Sequence, residues 1–282
     1  MDTILITGGS GRIGSAVIEH ANAAGYRTVS VDRVENKNDP DRFITADVTD
    51  AGQLYSVVAM ASPDAIIHLG AIPNAGGDPD HVVYESNAIG AYHVLAAAAA
   101  VGVDTVCSAS SIQAMGTSVE EWIEYLPVDE AHPMVPRNPY ELGKQTVEQL
   151  SDGFARREGP PFSLATFRFP HVQTDEAFRQ WLPQDPEDLE PGMGRFLFAY
   201  CAIDDVARLL LRAVETDLDG HERFWVSAPD TRTTVPTPTL IADHHPHAEL
   251  RTEFADNDPL ISTAKATNLL GWEPRISWRQ WE

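Results

Sequence analysis

From residue 3 onward, short apolar runs alternate with longer stretches in which apolar positions recur every three or four residues. The runs at 4–7, 28–32, 65–69, 105–108 and 163–167 are predicted as strands, and 12–24, 50–60, 85–101 and 139–156 as helices. The strand runs are largely apolar and do not alternate with polar residues, as expected of strands covered on both faces. Alternating strand and helix then predicts an α/β fold with a doubly wound parallel sheet. Right-handed crossovers gather the carboxyl ends of such strands along one edge, and ligands of open α/β sheets bind at that edge.

Beyond residue 170 the alternation weakens. The segment 173–194 is rich in Pro, Asp and Glu and is predicted to be a loop or lid. An amphipathic helix at 204–215, a strand at 223–227, a Pro-rich turn region at 229–238 and a last unit ending in Leu269-Leu270-Gly271-Trp272-Glu273-Pro274 follow. The chain divides on this reading into a main domain over 1–170 and, over 171–282, mainly a small substrate-binding cap with segments that return to the main domain. No internal repeat of 20–50 residues is visible.

Composition changes the picture in one respect. Forty-two acidic residues face 20 basic ones, a net charge of −22, and three lysines, Lys37, Lys144 and Lys265, are present among the 20. Such a surface repels nucleic acid and anionic membrane, so neither is an expected partner. Replacement of surface lysine by carboxylate and arginine resembles the proteins of salt-loving organisms, in which concentrated salt screens the self-repulsion. Two cysteines, Cys107 and Cys201, lie outside any disulfide or zinc pattern, and no basic leader or membrane-length apolar run is present. A cytoplasmic protein is expected. The run Asp243-His244-His245-Pro246-His247 lacks partners at ligand spacing, so no metal site is assigned.

The first predicted strand leads into Thr7-Gly8-Gly9-Ser10-Gly11-Arg12-Ile13-Gly14, followed by an amphipathic helix. Glycines at 8, 11 and 14 suit a tight turn, close approach of the backbone to a pyrophosphate, and close packing of helix on strand. The helix N-terminus then offers free N–H groups to phosphate. The second strand ends in Asp32, 24 residues after Gly8, where a carboxylate accepts a ribose diol and repels a 2′-phosphate; NAD is therefore expected over NADP. Arg12 and Arg33 weigh the other way, since an arginine beside the ribose can pair with that phosphate. Asp47 and Val48, after the third short apolar run, are assigned to the adenine side.

These residues, together with Tyr140-Glu141-Leu142-Gly143-Lys144, make the chain resemble the extended short-chain dehydrogenase/reductase family, of the NAD-dependent epimerase/dehydratase type. The resemblance covers nearly the whole chain. It is carried by 7–14, Asp32, the DVTD at 47–50, His68-Leu69-Gly70-Ala71, Asn87, Ser110-Ser111, 140–144, Arg168-Phe169-Pro170-His171-Val172, Ile203-Asp204-Asp205-Val206-Ala207 and 269–274. It implies a Rossmann-type fold and a cofactor site comprising Gly8, Ser10, Gly11, Arg12, Ile13, Gly14, Asp32, Arg33, Asp47, Val48, Leu69, Gly70, Ala71, Asn87, Tyr140, Lys144, Phe169 and Pro170. It also implies Ser111, Tyr140 and Lys144 as the catalytic set, with Ser110 as the alternative serine, and Ile72, Ser111, Gln113 and His171 toward the substrate. A homodimer is expected.

The chemistry agrees with the spacing. Tyr140 and Lys144 are one helical turn apart and project from one face. An ammonium close to a phenol is expected to lower the phenol's pKa, so that Tyr140 takes a proton from a hydroxyl as hydride leaves the same carbon. Departures from the family bear on the substrate. Ile112-Gln113 replaces the Asp-Glu pair that dehydratases carry after the catalytic Ser/Thr, which disfavours elimination of water. His171 stands where the family has asparagine, and Met115 where it has tyrosine. The short C-terminal half suggests a sugar smaller than a nucleotide sugar. Expected, then, is an NAD-dependent oxidoreductase acting on a free aldose, sugar acid or sugar phosphate. The alternatives are a nucleotide-sugar epimerase with tightly bound NAD and a non-catalytic dinucleotide-binding protein.

Overall fold

In the computed structural model, which describes residues 2–35, 38–74, 76–118, 123–180 and 192–281, the predicted strand–helix order is present in full. The first half comprises β1 (Thr3–Thr7), α1 (Arg12–Ala23), β2 (Arg27–Asp32), β3 (Arg42–Thr45), α2 (Ala51–Ala61), β4 (Ala65–His68), α3 (Asp80–Tyr84), α4 (Gly90–Val101) and β5 (Thr105–Ser111). The second comprises β6 (Tyr125–Leu126), α5 (Pro139–Glu158), β7 (Ser163–Phe169), β8 (His171–Gln173), α6 (Asp175–Gln180), β9 (Tyr200–Ala202), α7 (Ile203–Val214), β10 (Gly220–Trp225), α8 (Thr237–His244), β11 (Glu249–Leu250) and α9 (Ala264–Leu270). Lys37 and residues 181–191 of the 173–194 segment fall outside the described residues.

Seven strands form one parallel sheet in the order β10-β7-β5-β4-β1-β2-β3. The order reverses between β1 and β4, so their carboxyl ends open a crevice there, the place where doubly wound sheets bind ligands. Period-two alternation sends Ile4 and Ile6 to the face packed by α1 and α7, and Leu5 to the face packed by α2, α4 and α5. All three are fully buried, each contributing roughly 1.5–3 kcal/mol of apolar burial.

Local chemistry sets the helix starts. Asp50 caps α2 by accepting from the Gln53 N–H, and Asn138 caps α5 through a reciprocal capping box with Glu141 and Pro139 at the first turn. The helix predicted at 85–101 starts earlier, at Asp80, and passes through a wide π turn, Glu85–Ile89, before α4. That turn carries Asn87. Beyond residue 170, α7 and β10 belong to the main body: α7 packs beside α1, and β10 pairs with β7. The cap is left with the β6–β11 and β8–β9 pairs, α8 and a separate apolar cluster that includes Met193, Phe198, Leu240 and Leu260.

Candidate active site

The loop after β1 is shaped by what its glycines leave out. Gly8 has φ +68°, and a Cβ there would lie 2.6 Å from the backbone nitrogen of Gly70, in the loop after β4. A Cβ on Gly14 would lie 2.3 Å from the Gly8 carbonyl oxygen, so α1 sits directly on the turn. The two strand ends and the helix start thus close on one another. Two adjoining cavities open over them.

The smaller, about 290 Å³, is lined by Asp32, Arg33, Asp47, Val48, Gly70 and Ile72 together with Thr49, Val82, Glu85 and Ser86. The larger, about 590 Å³, is lined by Arg12, Ile13, Gly14, Ser110, Ser111, Gln113, Tyr140, Lys144, Phe169, Pro170 and His171, and on the cap side by Met193, Phe196, Phe198 and Arg232. Gly8, Gly11, Leu69 and Ala71 line both, so one elongated ligand can run from Asp32 to Tyr140.

At the inner end of the larger cavity, α5 presents Tyr140 and Lys144 to the end of β5. Lys144 Nζ donates to the Ala109 carbonyl at 2.8 Å and lies 5.9 Å from the centre of the Tyr140 ring. Burial pushes the Lys144 ammonium down to about 8. The Tyr140 phenol is pushed up by burial, partly opposed by its hydrogen bond with the Ser111 hydroxyl. This differs from the expectation that the ammonium depresses the phenol: the cation is held on the Ala109 carbonyl, and burial of the ring raises the phenol.

The choice between the two serines is decided by their partners. Ser110 donates to Glu148 Oε1 at 2.7 Å, and Glu148 is in turn paired with the buried Arg168 at 2.8 Å and with Arg223 at 3.1 Å. Ser111 bonds Tyr140 and accepts from the Gln113 N–H at 3.1 Å. Ser111 is thus the serine that meets Tyr140, and Ser110 anchors the strand end to α5.

A model of the NAD-dependent epimerase/dehydratase family matches residues 4–226. The chain belongs to that family. It is an enzyme family whose cofactor is NAD. A UDP-glucose 4-epimerase of Rhizobium leguminosarum bv. trifolii is 28% identical, over 97% of this chain and 93% of the relative. In fold the enzyme is similar to a short-chain dehydrogenase/reductase superfamily protein of Agrobacterium tumefaciens solved with bound NAD, at TM-score 0.75 and 20% identity over 99% of this chain and 94% of that one. It is similar also to a UDP-glucose 4-epimerase of Thermotoga maritima solved with UDP-glucose, at TM-score 0.71 and 22% identity over 98% and 94%.

The enzyme's residues fit this cofactor. A Cβ on Gly11 would meet the Gly8 carbonyl oxygen at 3.1 Å and protrude where both cavities meet, the place a pyrophosphate must pass. Asp32 is fixed by accepting from the N–H groups of Ser10 at 3.1 Å and Arg33 at 2.7 Å, which aims a carboxylate at the smaller cavity. Hydrogen bonds from Thr49 lower the pKa of the Asp47 carboxyl on the same cavity wall.

Three expected site residues sit elsewhere. Ile72, expected at the substrate, lines the smaller cavity, and Pro73 takes the larger one. Asn87 lines neither, because its amide is taken up by the Ile72 backbone, accepting from N–H at 2.8 Å and donating to the carbonyl at 3.1 Å. The Ser10 side chain likewise lines neither; its backbone holds Asp32. Arg232, Met193, Phe196 and Phe198 were missed in the sequence, where they stand in segments without periodicity. Among the described residues no three His, Cys, Asp or Glu are grouped to hold a metal, and no helix is long and apolar enough to cross a membrane.

Proposed function

We propose that the enzyme transfers a hydride between NAD and a hydroxyl-bearing carbon of a small sugar, releasing NADH, with Ser111, Tyr140 and Lys144 as its catalytic set. The observation that carries this reading is the Ser111–Tyr140 hydroxyl pair at the end of a cavity continuous with the Asp32 side. Bound NAD supplies the acceptor or donor of the hydride. Tyr140 takes the proton from the substrate hydroxyl in oxidation and returns it in reduction. Ser111, pre-set by the Gln113 N–H, holds the same oxygen and offsets its developing charge. Lys144, pinned to the Ala109 carbonyl in the same cavity, would supply positive charge to the developing alkoxide and hydrogen bonds to the cofactor.

A small substrate is supported by the gaps this chain carries against its relative, since the alignment spans 312 positions for a chain of 282 residues. It is supported also by the size of the larger cavity, about 590 Å³, which the nicotinamide half of the cofactor shares. A second reading, epimerisation of a nucleotide sugar with NAD retained, is favoured by the UDP-glucose 4-epimerase relative. Ile112-Gln113 after Ser111 speaks against dehydration.

One experiment separates the readings. Free sugars, sugar acids, sugar phosphates and nucleotide sugars are incubated with NAD at molar salt and followed at the NADH absorbance and by product analysis. Stoichiometric NADH is expected; interconversion of nucleotide sugars without NADH selects the epimerase, and inactivity on all of them overturns both. The enzyme is further proposed to work in the cytoplasm as a homodimer. Exposed Tyr84, Tyr92 and Leu142 on α3–α5 support a self-association face, which light scattering tests.

A further inference from the structure

The chain carries roughly twice as many acidic as basic residues, yet none of the described residues lining the larger cavity is an aspartate or glutamate. Its walls hold Arg12, Lys144 and Arg232 instead, with His171 beside the last. Among the described residues, this lining carries charge of opposite sign to that of the chain as a whole. Two of the three cations already have tasks in the reading above. Arg12 opens α1 at the glycine turn, beside the proposed path of the pyrophosphate, and Lys144 is buried and held on the Ala109 carbonyl.

Arg232 has neither task. It comes from the loop between β10 and α8, its backbone N–H donates to the Phe198 carbonyl at 2.9 Å, and Phe198 lines the same cavity. Its Nη1 lies 3.3 Å from Nδ1 of His171, the residue that replaces the asparagine of the family element. Among the described residues, the cap also contributes Met193, Phe196 and Phe198 to this lining. A guanidinium in such a wall suits a carboxylate or phosphate, which accepts two parallel N–H bonds, better than sugar hydroxyls alone.

We propose that Arg232, together with His171, binds an anionic group of the substrate while Ser111 and Tyr140 hold its reacting hydroxyl, so that the sugar is an acid or a phosphate ester and not a neutral aldose. This rests on the hydride-transfer reading. It goes beyond it by naming the residue that selects the substrate class.

The test compares kcat/KM for a hexose, its 6-carboxylate, its 6-phosphate and its UDP ester in the wild type, Arg232→Gln and Arg232→Lys at one molar salt concentration. The wild type should prefer one anionic form over the neutral hexose by about 10- to 100-fold, as expected for hydrogen bonds to a charged group. Which form is preferred separates carboxylate from phosphate and from diphosphate. Arg232→Gln should erase that preference through KM, Arg232→Lys should restore part of it, and the NAD dissociation constant should stay within about twofold in both. A wild type that favours the neutral hexose overturns the proposal, as does an Arg232→Gln variant that loses neutral and anionic substrates alike. Should no sugar turn over, the hydride reading fails and the anion site is read separately, by calorimetric titration of the hexuronate and the hexose 6-phosphate into NADH-saturated protein. Binding to the wild type that Arg232→Gln abolishes upholds the site; absence of binding, or equal binding to both proteins, overturns it.

Discussion

Replacing Tyr140 with Phe keeps a ring that is 6% exposed and removes one hydroxyl, whose hydrogen bond is to Ser111. Ser111 keeps its bond from the Gln113 N–H, so the end of β5 stays held. The structural cost is one neutral hydrogen bond, about 0.5–1.5 kcal/mol, partly offset because a buried polar group is also removed. That amounts to a melting shift of a few degrees at most in a chain of this size. The catalytic cost is of another order: loss of a positioned acid–base group lowers kcat roughly 10²–10⁴-fold, or about 2.7–5.5 kcal/mol of barrier. Initial rates of NADH formation at saturating NAD, an NAD titration and a thermal melt separate the two. In the oxidative direction the phenol must be deprotonated to act, and burial holds its pKa above the ordinary value; the wild-type rate should therefore climb with pH until the Lys144 ammonium, pushed down to about 8, loses its charge. Tyr140→Phe should lose that climb. A variant that retains more than about a tenth of wild-type kcat with the same pH profile would refute the assignment of the proton to Tyr140.

Asp32→Asn removes the charge that faces the smaller cavity while preserving shape, so the preference for NAD over NADP should fall about tenfold or more; a wild type that uses NADP equally well would move the assignment to Arg12 or Arg33. Raising KCl from dilute to molar shortens screening from about 10 Å to about 3 Å, and a chain of net charge −22 should melt at steadily higher temperature, whereas a flat or falling curve would end the halophile reading. His68, buried and bonded at 2.7 Å to the Thr7 hydroxyl, is pushed down to about 3 from 6.5. Because the unfolded chain binds that proton first, stability attributable to His68 is intact above pH 6.5 and is lost as pH falls toward 3, at about 1.4 kcal/mol per pH unit. His68→Gln should flatten the denaturant midpoint between pH 6.5 and 4.5 by that slope, and identical slopes in the two proteins would contradict it.

Much of the architecture was legible because its signals are local. An apolar run buried on both faces, a glycine turn that must let two backbones touch and a Tyr–Lys pair one turn apart each express a constraint within a few residues of chain. Hence β1, β2, β4, β5 and β7, the Gly8–Gly14 turn, Asp32 and the Tyr140–Lys144 pair could be placed from residue types and spacing alone. The tertiary structure decided whatever depends on which distant segment arrives beside them. Ser110 and Ser111 are equivalent as letters, and they part company because one meets Glu148 of α5 and the other meets Tyr140. Asn87 reads as a cofactor residue until a π turn points its amide at the Ile72 backbone. β10 and α7 look like cap elements by position, yet the edge of β7 and the flank of α1 are the surfaces that complete their burial. Arg232 carries no periodic signal at all. It reaches the cavity because the strand before it returns to the main sheet and the loop after that strand is pinned to Phe198, a long-range closure that no window of sequence contains.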